Sequence, residues 1–515
     1  MKLITLGVAV ALLVSAQASL AGEYLVKYKN VNALNQMAAM QTESFGLEMK
    51  GLHEAGSLAK VQIAKKNEAK TLARLMTNSN VEYVVPNFTL YAISAPVDTN
   101  ALREQYALAK VNADAAWKRA GNKGSKNVLL AVIDTGVDYR HKNLAPNTTN
   151  NGYDFRDNDA DPMDQTSAQN PGHGTHCAGI IGATGLVDGG IVGLSPEVSM
   201  MPLRFLGADG SGSLEGGIKA IDYAIEKGVQ VISASWGASV PLSTAKPLVE
   251  AIERAEKAGI IFVTAAANDG KNNDKTDVYP ANAGTPNMIT VAASNSSDAK
   301  PSWSNYGKAK VHVAAPGDAI MSTVPGDKYS NMSGTSMATP LVAGLVAFLK
   351  AQDASLTGAE IRALIQTTGS KVQIETACNC RIDAFAAVDT LLAKKAWLVP
   401  SAATLAEKAT LQVALKNATA TKFESSNPAV LTVDNSGNVT AVAKGTATIK
   451  ATDSKGVVTT SLDFNVGQVA SNPGNPGNPG DPGNPPGGGD ECPIQDPAMC
   501  QILCGIMPDA PWCKQ

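Results

Sequence analysis

A serine, a histidine and an aspartate each stand where this chain passes from one regular element to the next. Ser336 lies in Gly-Thr-Ser-Met-Ala-Thr-Pro, Gly334 to Pro340, ahead of an apolar, Ala-rich run, Met337 to Leu349, that reads as a helix. Its hydroxyl therefore belongs to a helix N-terminus, where unpaired backbone N–H groups favour developing negative charge. Gly334 lets another backbone come close. This is the setting of a nucleophilic hydroxyl. Upstream, LLAVIDTGVD (Leu129 to Asp138) reads as a buried strand that runs into Asp134, after which Thr135-Gly136 turns the chain. A carboxylate so placed lies at the C-terminal end of a parallel strand, where open α/β sheets bind ligands. His173 opens an apolar helical run in GHGTHCAG (Gly172 to Gly179), which holds two of the chain's five histidines, His173 and His176.

These segments, in the order Asp, His, Ser, resemble the subtilisin-like serine peptidases (subtilases), whose order differs from those of chymotrypsin-like enzymes and α/β-hydrolases. The likeness runs from about Ala101 to Leu392. It takes in Ser235-Trp236-Gly237, Asn268 after an Ala run, Tyr279 to Ala281 (YPA) and Ala314 to Gly317 (AAPG). The resemblance implies an α/β fold, a subtilisin-like parallel sheet with helices on both faces. It makes Ser336 the nucleophile, His173 the general base and Asp134 the residue that orients the imidazole. His176 is then structural. Asn268 and the Ser336 N–H are the implied oxyanion donors. An extended peptide is expected to pair beside Ser235, Trp236 and Gly237, with Ala266 and Ala267 completing the substrate-binding residues. The family usually has Gly at Ala267 and His at Leu341. The Ala267 methyl implies a shallow specificity pocket that favours Leu, Met or Ala over Phe and Tyr; Leu341 implies a packing change.

The elements around these residues are modular. With 515 residues and a hydrophobic fraction of 44%, several domains and a large core are expected. The net charge of −3 gives no reason to expect nucleic acid as a partner. Residues 1–21 read as a signal peptide: Lys2, an apolar run from Leu3 to Val14, and Ser19-Leu20-Ala21 before Gly22. That run is too short to span a bilayer, so a secreted protein without a transmembrane anchor is expected, extracellular or periplasmic. Residues 22–95 have a β-α-β-β-α-β rhythm, one strand of it faint, which suggests a ferredoxin-like α+β unit. It resembles the inhibitory propeptide of many subtilases, so the chain's own propeptide is an expected partner, with the processing junction between Tyr91 and Asn100. The peptidase domain is expected over residues 96–395.

In DFRDNDADPMD (Asp154 to Asp164), the residues Asp154, Asp157, Asp159 and Asp161 crowd a turn-prone segment. Close carboxylates repel unless a hard cation lies among them, and Ca²⁺ takes six to eight oxygens. The spacing is similar to a calcium loop of thermitase-like subtilases, so a structural Ca²⁺ is expected; Asn143 and Asp188 mark a second place. Residues 398–468 alternate like short strands, a small β-sandwich that looks like bacterial Ig-like group 2 domains. Residues 471–490 repeat Asn-Pro-Gly, a semi-flexible linker. The tail, 491–515, holds Cys492, Cys500, Cys504 and Cys513, enough for two disulfides in three pairings. Cys177 is expected buried and free; whether Cys378 and Cys380 pair is open. The expected function is secreted, broad serine endopeptidase activity on proteins or peptides, from a self-processing zymogen. The alternative is an inactive subtilase-fold adhesion protein whose Ig-like domain binds a cell-surface ligand.

Overall fold

The computed structural model describes residues 22–39, 47–93, 105–187 and 190–467. The signal segment, the Pro/Gly linker, the Cys-rich tail and Asp188 lie outside the described residues. The chain divides after Asn87 into two compact units.

The first unit has four strands, Gly22–Tyr28, Leu47–His53, Leu58–Ile63 and Val81–Pro86, and two helices, Val31–Ala39 and Glu68–Met76. Across the sheet the order is Leu47–His53, Leu58–Ile63, Gly22–Tyr28, Val81–Pro86, with every pair antiparallel. Leu34, Met37, Leu72 and Leu75 share one core with Val26 and Val61. The strand that is faint in the sequence is Leu47–His53. It buries only Leu47 and lies at the sheet edge, so it carries little apolar pattern.

The second unit is built on a nine-stranded sheet. Its middle runs Val313–Pro316, Met288–Ser294, Ile261–Ala265, Val231–Ala234, Leu129–Asp134, Ser199–Arg204, and these neighbours are all parallel. The strands Leu129–Asp134, Val231–Ala234, Ile261–Ala265 and Met288–Ser294 are buried almost throughout. Burial on both faces is why they read as continuous apolar runs rather than alternating ones. Helices His173–Gly182 and Thr335–Gln352 pack together in the main core, and Leu214–Glu226 packs on Leu242–Lys257. Leu341, at the family's usual His position, is buried in that core. Three strands, Leu129–Asp134, Val231–Ala234 and Ile261–Ala265, deliver Asp134, Ser235 and Asn268 at or just past their C-terminal ends. That rim is where a parallel sheet presents its chemistry.

Residues beyond Lys395 form short strands around Val413, Leu431, Val439, Ile449 and Phe464. The strand Trp397–Val399 ties this β-domain to the α/β part. Trp397 is buried in the α/β core, while Leu398 is buried in the β-domain core. Successive strand residues face opposite sides, so one strand serves both cores. Trp397 Nε1 donates to the Glu360 carbonyl at 3.2 Å, and Lys416 Nζ lies 2.7 Å from Glu360 Oε1.

Candidate active site

Asp134 ends its strand and is 1% exposed. Its Oδ1 accepts from the Thr135 N–H and from His173 Nδ1, both at 2.7 Å. His173 starts its helix, and Asn170 Oδ1 caps that start by accepting from the backbone N–H of Gly172 at 3.0 Å and of His173 at 2.8 Å. Gly174 is required here, because a β-carbon on it would lie 2.1 Å from the Gly136 carbonyl oxygen. The helix start therefore lies directly on the Asp134-Thr135-Gly136 turn. Burial pulls the His173 imidazole down, while the Asp134 charge, its hydrogen bond and the Asp164 charge push it up; the balance lies above the ordinary value. His176 is different. Burial drives its pKa down to about 3, and its Nε2 lies 3.0 Å from the Ser330 carbonyl. It stays neutral at physiological pH and is tied up in the core.

Asp164 received no role from the sequence, and the fold gives it one. It is 5% exposed, and its carboxylate accepts from Thr135 Oγ1 (2.9 Å), Asn170 Nδ2 (3.0 Å), the Thr175 N–H (3.0 Å) and Thr175 Oγ1 (2.7 Å). Both hydroxyls also accept a backbone N–H, from Gly174 and from Asp138, so their own protons point at Asp164. Burial pushes the carboxyl pKa up and these bonds pull it down, with burial the larger effect. Four donors and no acceptor nonetheless suit the anion. Asp164 thus clamps the residue after Asp134 to the residue two after His173. Only tertiary closure of the loop reveals this.

Ser336 is the second residue of helix Thr335–Gln352 and is fully buried. Its hydroxyl donates to the backbone carbonyl of Ile93 and lies 3.2 Å from the Ser235 carbonyl. His173 Nε2 has no hydrogen-bond partner. Asn268 Oδ1 accepts from the Thr335 N–H and from Thr335 Oγ1, each at 2.9 Å. An N–H must meet an oxygen, so the amide cannot be turned round, and its Nδ2 is left buried without a partner. A buried donor with nothing to bond to is costly unless a substrate oxygen arrives. Ala267, just before it, has φ 88°, a conformation suited to glycine. The turn is held by Asn305, whose N–H donates to the Ala267 carbonyl at 3.0 Å and whose Oδ1 accepts from the Asp269 and Lys271 N–H groups.

The chain's own segment Thr89–Ala92 lies as a strand between Trp236–Gly237 and Ser211–Ser213, antiparallel to both. Ile93 continues it, its N–H donating to the Ser235 carbonyl at 3.0 Å. Leu90 is fully buried and Tyr91 is 54% exposed. The structure thus gathers Ser235, Trp236, Gly237 and Ala267 around an extended peptide. Trp236 pairs with Ala92 through its backbone, and its Nε1 donates to the Ile133 carbonyl at 2.7 Å. Ala266 departs from expectation as a substrate-binding residue. Its side chain belongs to a separate cluster with Ala292, Val311, Ala314 and Ile374, one residue past the end of the strand Ile261–Ala265.

The acidic loop is arranged around a cation of the chain. Arg204 Nη1, in a side chain 2% exposed, bonds Asp154 Oδ2 and lies 2.7 Å from Asp157 Oδ2. Asp159 Oδ1 accepts the Asp161 N–H, and Asp161 Oδ1 accepts from Tyr139 Oη and the Met163 N–H. Among the described residues, the only three metal-ligating side chains with donor atoms within 4.8 Å of one another are Asp134, His173 and Cys177. Cys177 is buried and free, and burial pushes its thiol well above the ordinary value. Cys378 and Cys380 are joined as a disulfide. Asn143 is satisfied internally, donating to the Ile191 carbonyl and accepting from Thr184 Oγ1.

Residues 125–390 match the subtilase family, and residues 393–464 match the bacterial Ig-like domain (group 2). The thermophilic serine proteinase of Bacillus sp. (strain AK1) is 37% identical over 362 residues, 68% of this chain and 82% of that protein. Thermitase of Thermoactinomyces vulgaris is 39% identical over 277 residues, 54% of this chain and 92% of that protein. The major intracellular serine protease of Bacillus subtilis (strain 168) is 38% identical over 258 residues, 50% of this chain and 77% of that protein. A buried Asp–His pair, a helix-start serine and an amide donor with a fixed orientation thus lie inside a match that covers over half the chain, which belongs to the subtilase family of serine peptidases.

Proposed function

We propose that this chain is an exported serine endopeptidase made as a precursor that cuts itself between Ile93 and Ser94. One observation carries this reading: the Ile93 carbonyl lies at the Ser336 hydroxyl, at the end of a strand paired in the cleft. In the reaction, Ser336 Oγ bonds to the carbonyl carbon while its proton passes to His173 Nε2. The oxygen's negative charge is taken up by Asn268 Nδ2–H and the Ser336 backbone N–H. Asp134 holds the imidazole by Nδ1 and stabilises its cation. His173 then gives the proton to the leaving nitrogen as the C–N bond breaks. Water, deprotonated by the same nitrogen, releases the acyl group and restores Ser336. After the first cut, residues 88–93 are a product seated in the cleft, which makes residues 22–93 an inhibitor until they leave.

Export rests on the signal-like residues 1–21; no helix among the described residues is long and apolar enough to cross a membrane. Calcium belongs to this reading as a stabilising ion of the acidic loop. The donors suit it in kind, being oxygens throughout. Arg204 covers only Asp154 and Asp157, and no cation among the described residues pairs with Asp159 or Asp161. The four carboxylates are strung along the loop, so an ion held by Asp157, Asp159 and Asp161 has to draw them in. Nothing observed favours an inactive adhesion protein. The test is N-terminal sequencing of the secreted protein with fluorophosphonate labelling. A chain starting at Ser94 and labelled at Ser336, with Ser336→Ala left as precursor, is expected. Normal processing of Ser336→Ala in a host lacking other proteases refutes the proposal.

A further inference from the structure

We infer that the pocket for the side chain just before the cut bond is built for a β-branched aliphatic residue, isoleucine or valine, and that the Ala267 methyl sets this preference. The inference rests on the proposed function and names the substrate class of that site. Ile93 packs against Ala267, Val278 and Ala281 in a small cluster of its own. The backbone of Gly237 closes another side: a β-carbon there would lie 3.4 Å from Ile93 Cδ1 and 2.8 Å from the Tyr279 carbonyl oxygen. Ile93 Cδ1 therefore lies on the side of the Gly237 backbone, which has no room for a side chain, and Ile93 itself is partly buried. A ring is wider than an isoleucine side chain and has to pass the Ala267 methyl, which a glycine there would remove.

Ala267 is the wall that glycine would remove. Its φ of 88° strains any residue with a β-carbon, and Asn305 holds the turn in that form. The methyl is thus kept at the pocket despite the strain, as strained positions at working sites often are. The peptide enters as a strand, fixed by the Ile93 N–H bond to Ser235 and by pairing with Trp236–Gly237. β-Branched side chains are stiff at χ1 and suit that extended backbone, so isoleucine and valine lose little freedom on entering.

The test compares fluorogenic peptides Leu-Tyr-Ala-X, where X is Ile, Val or Phe before the leaving group, on the secreted enzyme titrated with a fluorophosphonate. The wild type is expected to favour Ile and Val over Phe in kcat/KM by about tenfold or more, the scale set by one or two methylenes in an apolar pocket. Ala267→Gly, which also relieves strain, is expected to cut the Ile-to-Phe ratio by about tenfold, and Val278→Ala, at another wall, to move it the same way. In the precursor, Ile93→Phe is expected to slow self-cutting and Ala267→Gly to restore it. Faster cleavage of Phe than Ile by the wild type, or a ratio unmoved in both pocket variants, overturns the inference while leaving the peptidase reading intact. Absence of both labelling and cleavage of every peptide overturns the peptidase reading, and this inference with it.

Discussion

Trp397→Ala is expected to destabilise the α/β part, although position 397 lies beyond the subtilase match. The indole is fully buried in the α/β core, and its Nε1 donates to the Glu360 carbonyl. A tryptophan buries about 150–250 Å², which at about 25 cal/mol per Å² corresponds to roughly 4–6 kcal/mol. Measured Trp→Ala losses of about 3–5 kcal/mol are the better guide, because neighbours relax into part of the cavity. Lys416→Ala, which breaks the half-buried pair with Glu360, should cost only about 0.2–1 kcal/mol. Urea unfolding followed by circular dichroism in the Ser336→Ala background, where self-digestion is absent, measures both. The strand Trp397–Val399 also supplies Leu398 to the β-domain core, so the two domains should lose structure together. A Trp397→Ala unfolding free energy within about 1 kcal/mol of the parent, or a chain ending at residue 392 that unfolds at the same urea concentration, refutes this and leaves the Ig-like domain a spacer.

Asn268→Ala should lower kcat about 100- to 1000-fold with KM nearly unchanged if the unpartnered Nδ2 is the proposed oxyanion donor, since that charge appears only in the transition state; a loss confined to KM contradicts that assignment. His173 must be neutral to accept the serine proton; burial pulls its pKa down and the Asp134 charge pushes it up, so kcat/KM should rise with pH as the imidazole loses its proton. Asp164→Asn removes one of the upward pushes, so this acid limb should move to lower pH; a limb that stays in place in an active variant makes Asp164 a packing residue only. Chelation should lower the melting temperature more than the initial rate, and Asp157→Asn with Asp159→Asn should blunt that response. A melting temperature indifferent to chelator means that Arg204 alone balances the loop.

Short-range signals pointed to Asp134, His173, Asn268 and Ser336, because each ends or starts an element whose apolar run can be read locally. The sheet strands were legible for the same reason: burial on both faces leaves an uninterrupted apolar record. The edge strand Leu47–His53 was faint because one buried residue is too little pattern. Ala266 and Ala267 are alike in sequence, and only the fold shows that one joins a cluster with Ala292 and Ile374 and the other a cluster with Val278, Ala281 and Ile93. Asp164 meets Thr135 across 29 residues, Arg204 meets Asp154 across 50, and Ile93 meets Ser336 across 243. Sequence by itself determined which residue types stand at element ends, since that depends on a few neighbours along the chain. Tertiary structure decided which of them share a site, since that depends on how distant segments pack.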